Sequence, residues 1–332
     1  MSAPIVITGA AGFVGQACVT AARAAGHPVR ALVRSDRNLP DGWDKEVTVH
    51  VVDLASAPDL GDVLAGTGAV IHCAAGTGET HARDTRDATA HLLAAMAGLD
   101  IRLILVSSLS VYGYAAIPDG TTLDETTPTD PDMARRDAYA RAKYNQEMQA
   151  IAAAQHGGLD LWILRPGAIY GPGRLWSARL GYPKGGRVLV PGGNVPVPAV
   201  HVDSCAAGLV AACTAMRPAR SDLPVITGTG NICTINLIDP NPPSQRDWLD
   251  AIRKTPVILP LLLMMKLSRG FDLAGDLWPG LGRRLPVGLR EATLAARFKP
   301  LRYARARAED LLGHAPTVDF KTHMQTLKQE RS

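Results

Sequence analysis

The sequence predicts an α/β protein: a parallel, doubly wound sheet covered by helices on both faces, with a smaller C-terminal lobe. Three observations lead there. Short β-branched runs alternate with helical stretches through Leu164, the pattern of a parallel sheet with crossover helices. A glycine turn joins the first strand to the first helix. From Pro166 onward glycine and proline become frequent, as in loops that line a cleft.

The expected strands are Ile5–Thr8, Val29–Arg34, Val47–Val52, Ala69–His72, Ile101–Val106 and Leu161–Leu164. The expected helices are Val14–Ala25, a short piece around Leu60–Leu64, Ala82–Ala97 and Arg136–His156. In such sheets ligands bind beyond the carboxyl ends of the strands, so the loops that follow strands carry the chemistry. Later, a helix is expected from about Ser204 to Met216 and a strand at Val225–Thr227. A second proline cluster, Asp239 to Pro243, precedes a helical C-terminal region.

The first turn reads Thr8-Gly9-Ala10-Ala11-Gly12-Phe13-Val14-Gly15. Glycines allow a tight turn and close approach, while free N–H groups and the helix dipole favour an anion. The spacing Gly9, Gly12, Gly15 is not the common dinucleotide fingerprint with two glycines one residue apart. By itself it leaves two readings open, a phosphate cradle or a tight structural turn.

The second strand runs into Arg34-Ser35-Asp36-Arg37. An acidic residue at that strand end takes the adenosine ribose hydroxyls, whereas arginine accommodates a 2′-phosphate. Arg34 and Arg37 suit a phosphate dianion through bidentate bonds, so NADP is the expected cofactor. NAD stays as the alternative, with Asp36 swinging back to a ribose. After the third strand, Asp53 and Leu54 are placed to hold adenine, although Asp at a strand end is also an ordinary helix cap. Beyond the fourth strand, Cys73-Ala74-Ala75-Gly76 offers small residues where backbone passes close to a flat ligand. His72 before them reads as a packed strand-end residue rather than a catalyst.

Composition bounds the rest. With 332 residues, 46% hydrophobic and 20% charged, the chain has ample length for a core. A net charge of +4 and a pI near 8.8 are too mild to indicate nucleic acid. Basic residues thicken from Arg283 to Arg307, read as a solvated helix face, with an anionic partner or membrane surface as the minority reading. Five scattered cysteines, Cys18, Cys73, Cys205, Cys213 and Cys233, read as thiols in a reducing compartment, without a metal site. A strand beginning almost at once leaves no room for a signal peptide, and the apolar run Val257–Met265 is too short to span a bilayer. A cytoplasmic protein without a transmembrane segment is expected. That run reads as a buried helix or a cover for a substrate pocket.

The fifth strand delivers Ser107-Ser108-Leu109-Ser110-Val111-Tyr112-Gly113, and the helix after it carries Tyr139-Ala140-Arg141-Ala142-Lys143. Positions i and i+4 share a helix face, so the Lys143 ammonium can lie near the Tyr139 phenol. Free tyrosine is a poor base at neutral pH. A shift of about 3 units downward corresponds to roughly 4 kcal/mol of differential interaction with a nearby cation. A serine hydroxyl then fixes a substrate oxygen for proton transfer.

These motifs together resemble the extended short-chain dehydrogenase/reductase superfamily, the NAD(P)-dependent epimerases and dehydratases. Thr8 to Gly15 is similar to its TGxxGxxG turn, Ser107 to Gly113 to its serine segment, and Tyr139 with Lys143 to its YxxxK. Leu164 to Gly173 resembles the RPxxxYGPG stretch, and Val200-His201-Val202-Asp203 its VHVDD segment, with Ser204 replacing the second aspartate. The resemblance implies a Rossmann-type fold and a homodimer formed through helices of the nucleotide domain. It implies catalytic Ser108, Tyr139 and Lys143, with Ser108 orienting the substrate, Tyr139 as acid/base, and Lys143 binding the nicotinamide ribose while tuning Tyr139. It implies a cofactor held by Gly9, Gly12, Phe13, Val14, Gly15, Arg34, Arg37, Asp53, Leu54, Ala74, Ala75, Tyr139, Lys143 and Pro166. One departure is Thr85, aligned where many members carry an asparagine of the proton relay.

Residues 1–166 are expected to form the NAD(P)-binding domain, with 199–228 returning to it. Residues 167–198 and 229–328 are expected to form the substrate lobe, where Trp176, Tyr182 and Trp278 are candidate pocket residues. The 4,6-dehydratases carry an Asp-Glu pair where this chain has Leu109-Ser110, which disfavours elimination. Arg34 and the tail Leu301 to Pro316 resemble dihydroflavonol-reductase and 3β-hydroxysteroid-dehydrogenase-like members. The expectation is an NADP-linked oxidoreductase acting on a small-molecule secondary alcohol or ketone. An NAD-dependent nucleotide-sugar epimerase comes second, and a non-catalytic cofactor-binding sensor third.

Overall fold

The computed structural model describes residues 2–37, 39–75, 81–218, 232–277, 286–314 and 320–329. Its centre is a seven-stranded parallel sheet. In chain order the first strands are β1 (Ile5–Thr8), β2 (Val29–Val33), β3 (Val47–Val51), β4 (Ala69–His72) and β5 (Arg102–Val106). With β7 (Leu161–Pro166) and β12 (Ile232–Leu237) they form the spatial order β12-β7-β5-β4-β1-β2-β3. The order reverses between β1 and β4, and a ligand crevice opens at such a switch point.

Successive side chains of a strand point to opposite faces, and both faces here are apolar. Ile5, Ile7, Ile104, Val106, Trp162 and Leu164 pack beneath α1 (Phe13–Ala24) and α5 (Val202–Thr214). Val6, Leu103, Leu105, Leu161 and Ile163 pack beneath the short α2 (Gly61–Leu64), α3 (His81–Met96) and α4 (Ala138–Gly157). Burial on both sides explains why these strands read as continuous apolar runs rather than alternating ones.

Small pairs of strands build the rest. β6 (Thr122–Leu123) pairs with β14 (Arg302–Tyr303), and β8 (Ala168–Tyr170) with β11 (Ala199–His201). A three-stranded sheet joins β9 (Tyr182–Lys184), β10 (Arg187–Pro191) and β13 (Thr255–Leu259). Helix α6 (Gln245–Ala251) starts with a capping box between Ser244 and Asp247. After β13, Pro260 interrupts the backbone donors and α7 (Leu261–Leu277) begins.

Two expectations need correction. The strand that joins the main sheet late is β12, beyond residue 228, so the returning segment reaches further than expected. Its apolar residues are interrupted by Thr234 and Asn236, which hid the pattern. The expected strand at Val225–Thr227 lies outside the described residues, as do Gly76, Trp278, Arg283, Arg284 and Pro316. The run Val257–Met265 is not one buried helix but the end of a strand and the start of a helix, with Leu262 and Leu263 exposed.

One buried ion pair locks the sheet to α4. Arg165 on β7 donates to both carboxylate oxygens of Glu147 on α4, at 2.9 and 2.6 Å, and its guanidinium lies 4.5 Å from the Tyr112 ring centre. Ser107 donates to the same carboxylate, so the pair also fixes the strand end from which Ser108 emerges. Removing one partner leaves a charge buried alone. Glu147→Ala is therefore expected to lower unfolding stability by about 3–5 kcal/mol, read from urea denaturation. A loss below about 1 kcal/mol would show that water reaches Arg165 and that the pair is not structural.

Candidate active site

The chain leaves β1 at Thr8 and turns on Gly9, whose φ is +65°. A Cβ at Gly9 would lie 3.0 Å from the Ala74 backbone, and one at Gly15 would lie 2.2 Å from the Gly9 carbonyl oxygen. Both positions therefore demand glycine, because α1 packs onto its own entry turn and β4 passes beside it. Helix α1 starts after Gly12 with no side-chain cap and no acidic residue in its first turn. Its leading N–H groups and positive dipole end are left for an anion.

That helix end opens into a cleft of about 410 Å³ that Gly9, Gly12, Arg34, Asp53, Leu54, Ala74 and Ala75 all line. Seven sequence candidates thus converge on one cavity. Phe13, Val14 and Gly15 form the first turn of α1 behind it. The Arg174 guanidinium sits 5.3 Å from the Phe13 ring centre. Arg37 is exposed in the loop after Arg34, and Pro166 is buried at the end of β7; neither lines this cleft.

Arg34 also lines an adjoining pocket of about 470 Å³, with Asp53, Ser56, Arg83, Asp84 and Asp87. Its side chain has no hydrogen bond or ion pair among the described residues. Arg83 is the residue the sequence reading missed here, since it comes from α3, far away in sequence. Asp53 accepts from the Ala55 N–H at 3.1 Å, so the capping reading holds for one of its oxygens. Leu54 is only 5% exposed and belongs largely to the core.

Ser108, Tyr139 and Lys143 do not line this cavity either; Ser108 follows β5 and its hydroxyl accepts from the Ser110 N–H at 3.1 Å. Asp137 caps α4, accepting from the Ala140 N–H at 2.9 Å, which sets Tyr139 in the first turn. The Ser108 hydroxyl lies close enough to the Tyr139 phenol to favour its ionised form. Lys143, one turn further, is buried and donates to the Val106 carbonyl at 2.8 Å and to Gln146 Oε1 at 3.0 Å.

The electrostatics differ from the simplest expectation. Tyr139 is 47% exposed as a residue, yet desolvation of its phenol pushes the pKa above the ordinary tyrosine value. The Ser108 hydrogen bond and the Arg174 charge pull it down. Lys143 turns its ammonium toward Val106 and Gln146, and burial pushes its own pKa down to about 8.

Behind Lys143 lies a polar network that spacing did not reveal. Lysine only donates, so Gln146 presents Oε1 to it and its amide nitrogen to Thr89 Oγ1, at 2.9 Å. The Thr89 hydroxyl donates to the Thr85 carbonyl at 2.7 Å. Thr89 is therefore an acceptor toward His72 Nε2, at 3.1 Å, which assigns the proton to that nitrogen. His72 Nδ1 then accepts from Thr8 Oγ1 at 2.8 Å, and Thr8 accepts from the Ala74 N–H at 3.2 Å. Burial, with the Lys143 charge, pushes His72 down to about 3. It is a neutral packed residue, as expected. Thr85 is buried and takes part through its carbonyl. Among the described residues no group of three or more His, Cys, Asp or Glu is placed to hold a metal ion.

Comparison with known proteins points the same way. The NAD dependent epimerase/dehydratase family matches residues 5–223, more than half of the chain. Over 188 residues the chain is 29% identical to a UDP-glucose 4-epimerase of Vibrio cholerae, covering 52% of this chain and 54% of that protein. It is 32% identical over 215 residues to a ceramide reductase of Caulobacter vibrioides, covering 63% and 60%. The matched stretch thus spans little more than half the length of these relatives. Among solved structures, MoeE5 in complex with UDP-glucuronic acid and NAD superposes with a TM-score of 0.69 at 21% identity, covering 99% of both chains. That likeness establishes the fold.

With its pKa near 8, Lys143 is charged below that pH and neutral above it. Affinity of the cleft for an anionic dinucleotide is expected to fall as pH rises through about 8. Gln146→Leu, which removes the acceptor that favours the ammonium, moves the midpoint lower; Gln146→Glu moves it higher. Fluorescence titrations of NADPH across pH check this. A midpoint indifferent to both substitutions contradicts the network.

Proposed function

Since the chain belongs to the NAD dependent epimerase/dehydratase family, the NAD(P)-dependent oxidoreductases and epimerases of the extended short-chain dehydrogenase type, we propose that it is an NADP(H)-dependent oxidoreductase. It interconverts a secondary alcohol and a ketone or aldehyde. The observation that carries this reading is that Ser108 at the end of β5 acts on the Tyr139 phenol in the first turn of α4, with buried Lys143 one helical turn further on.

The residues present fit a dinucleotide. The glycine cradle, where a Cβ would collide with backbone at Gly9 and Gly15, suits a pyrophosphate on the N–H groups around Gly12, Phe13 and Val14. Arg34, exposed and without a partner among the described residues, suits a 2′-phosphate, with Arg37 next to it and Arg83 across the pocket. Asp53 and Leu54 lie at the adenine side and Ala74 and Ala75 along the cleft, while Pro166, expected to contact the cofactor, is buried at the end of β7. The bound nicotinamide supplies or accepts the hydride.

The protein's part is orientation and proton transfer. Ser108 holds the substrate oxygen in hydrogen-bond reach of the Tyr139 phenol. Tyr139 gives its proton to that oxygen in reduction and takes it back in oxidation. Lys143 contributes a fixed positive charge and a ribose contact. The cofactor part comprises residues 1–166 with the segment from 199 through β12; the substrate part comprises 167–198 and the chain beyond β12.

A second reading, an NAD-dependent nucleotide-sugar epimerase, has support in the Vibrio cholerae relative. Dehydration is disfavoured, because Leu109, next to Ser108, is an apolar residue 1% exposed.

Two outcomes are expected. Tyr139→Phe lowers turnover by about 10²–10⁴-fold with nearly unchanged dinucleotide affinity by titration; a variant that keeps its rate refutes the mechanism. Arg34→Ala weakens NADPH far more than NADH, and equal weakening of both removes the basis for NADP.

A further inference from the structure

Helix α7 is amphipathic in the reverse of the usual sense. Leu261, Met264, Met265, Ser268 and Asp272, at helical spacing, form its covered side. On the outward side Leu262 is 69% exposed, Leu263 54%, Leu267 56%, Phe271 46% and Leu273 59%. Ile258, on the preceding strand β13, adds to them. A soluble helix places polar residues there, and a contiguous exposed apolar patch marks an interaction surface.

The charges on this face identify what it meets. Between 261 and 273 the exposed charged residues are Lys266 and Arg269. The one carboxylate of the stretch, Asp272, lies on the covered side and accepts from the Glu291 N–H at 3.4 Å. A second copy of the chain meeting the same face would bring cation against cation, since a two-fold contact uses the same patch twice. An anionic lipid surface is complementary. Leucine and phenylalanine enter the headgroup–acyl boundary while Lys266 and Arg269 extend along it to phosphates. The helix is about 25 Å long and carries charges within it. No described helix is long and apolar enough to cross a membrane.

We propose that the outward face of α7 docks the protein onto an anionic lipid surface, lying in the interface rather than spanning it. On the inward face of the same helix, Met265 packs against an apolar cluster that includes Tyr114 and Ala295 and extends to Leu109, the residue after Ser108. Docking therefore sets this cluster, which continues to the residue after Ser108, beside the water–lipid boundary. Joined to the reading of carbonyl reduction, on which this last step rests, it points to an amphiphilic carbonyl substrate. The docking itself does not depend on catalysis.

The test is co-sedimentation of the full chain with phosphatidylcholine vesicles and with vesicles also containing phosphatidylglycerol. Binding is expected on the anionic vesicles and about tenfold or more weaker on the neutral ones, with added salt weakening it. Leu263→Asp with Leu267→Asp reduces binding to background, and Lys266→Glu with Arg269→Glu weakens it on anionic vesicles alone. These positions are exposed, so far-UV dichroism and NADPH affinity stay unchanged. No vesicle binding overturns the proposal, as does binding indifferent to both double variants. Self-association that the aspartate variant abolishes, without lipid binding, assigns the face to a second copy and overturns it too.

Discussion

An ammonium buried at the carboxyl edge of a parallel sheet is the constraint around which this structure is organised. Lys143 is 5% exposed, and a buried charge is tolerated only where polar groups meet it. The Val106 carbonyl is available because β5 ends there. The Gln146 amide is available because it lies one helical turn further on α4. Gln146 in turn is oriented by Thr89 on α3, and Thr89 meets His72 on β4, which meets Thr8 on β1. One line of hydrogen bonds thus connects the helix that carries Tyr139 to the turn that carries Gly9. The glycine turn and the helix that carries Tyr139 and Lys143 are held in register by it.

A second consequence concerns proton supply. An amide passes no proton readily, and His72 is locked neutral with both ring nitrogens engaged. Lys143 therefore acts as a fixed charge backed by a dead end. Tyr139 is 47% exposed as a residue and makes no hydrogen bond to this chain of side chains. That arrangement gives a physical meaning to Thr85 at the position where the resemblance implies asparagine: the side chain next to Lys143 is Gln146.

Much of this was legible in the chain. Doubly buried strands announce themselves as apolar runs, so β1, β2, β4, β5 and β7 were readable to within about two residues. The glycine turn was readable because steric demand at Gly9 and Gly15 leaves no other residue. The positions of Ser108 at a strand end and of Tyr139 and Lys143 one turn apart on a helix were readable because that spacing is local. What stayed hidden depends on distant segments meeting. β12 escaped because Thr234 and Asn236 break its pattern, and Arg83 reaches the Arg34 pocket only through the packing of α3. The phenol's raised pKa follows from desolvation, which a spacing argument does not measure. The outward face of α7 escaped because an apolar run says nothing about which side is covered.

Hydride exchange with a carbonyl is the central claim, and the cofactor balance tests it most directly. Purified protein would be incubated with NADPH and a panel of aliphatic, aryl and long-chain ketones, following NADPH absorbance and the alcohol formed. In parallel, UDP-sugars would be followed by NMR with no cofactor added. The account predicts loss of NADPH matched one for one by alcohol, and no interconversion of sugar isomers. Isomer exchange supported by a tightly held NAD, with NADPH untouched by every ketone, would contradict it.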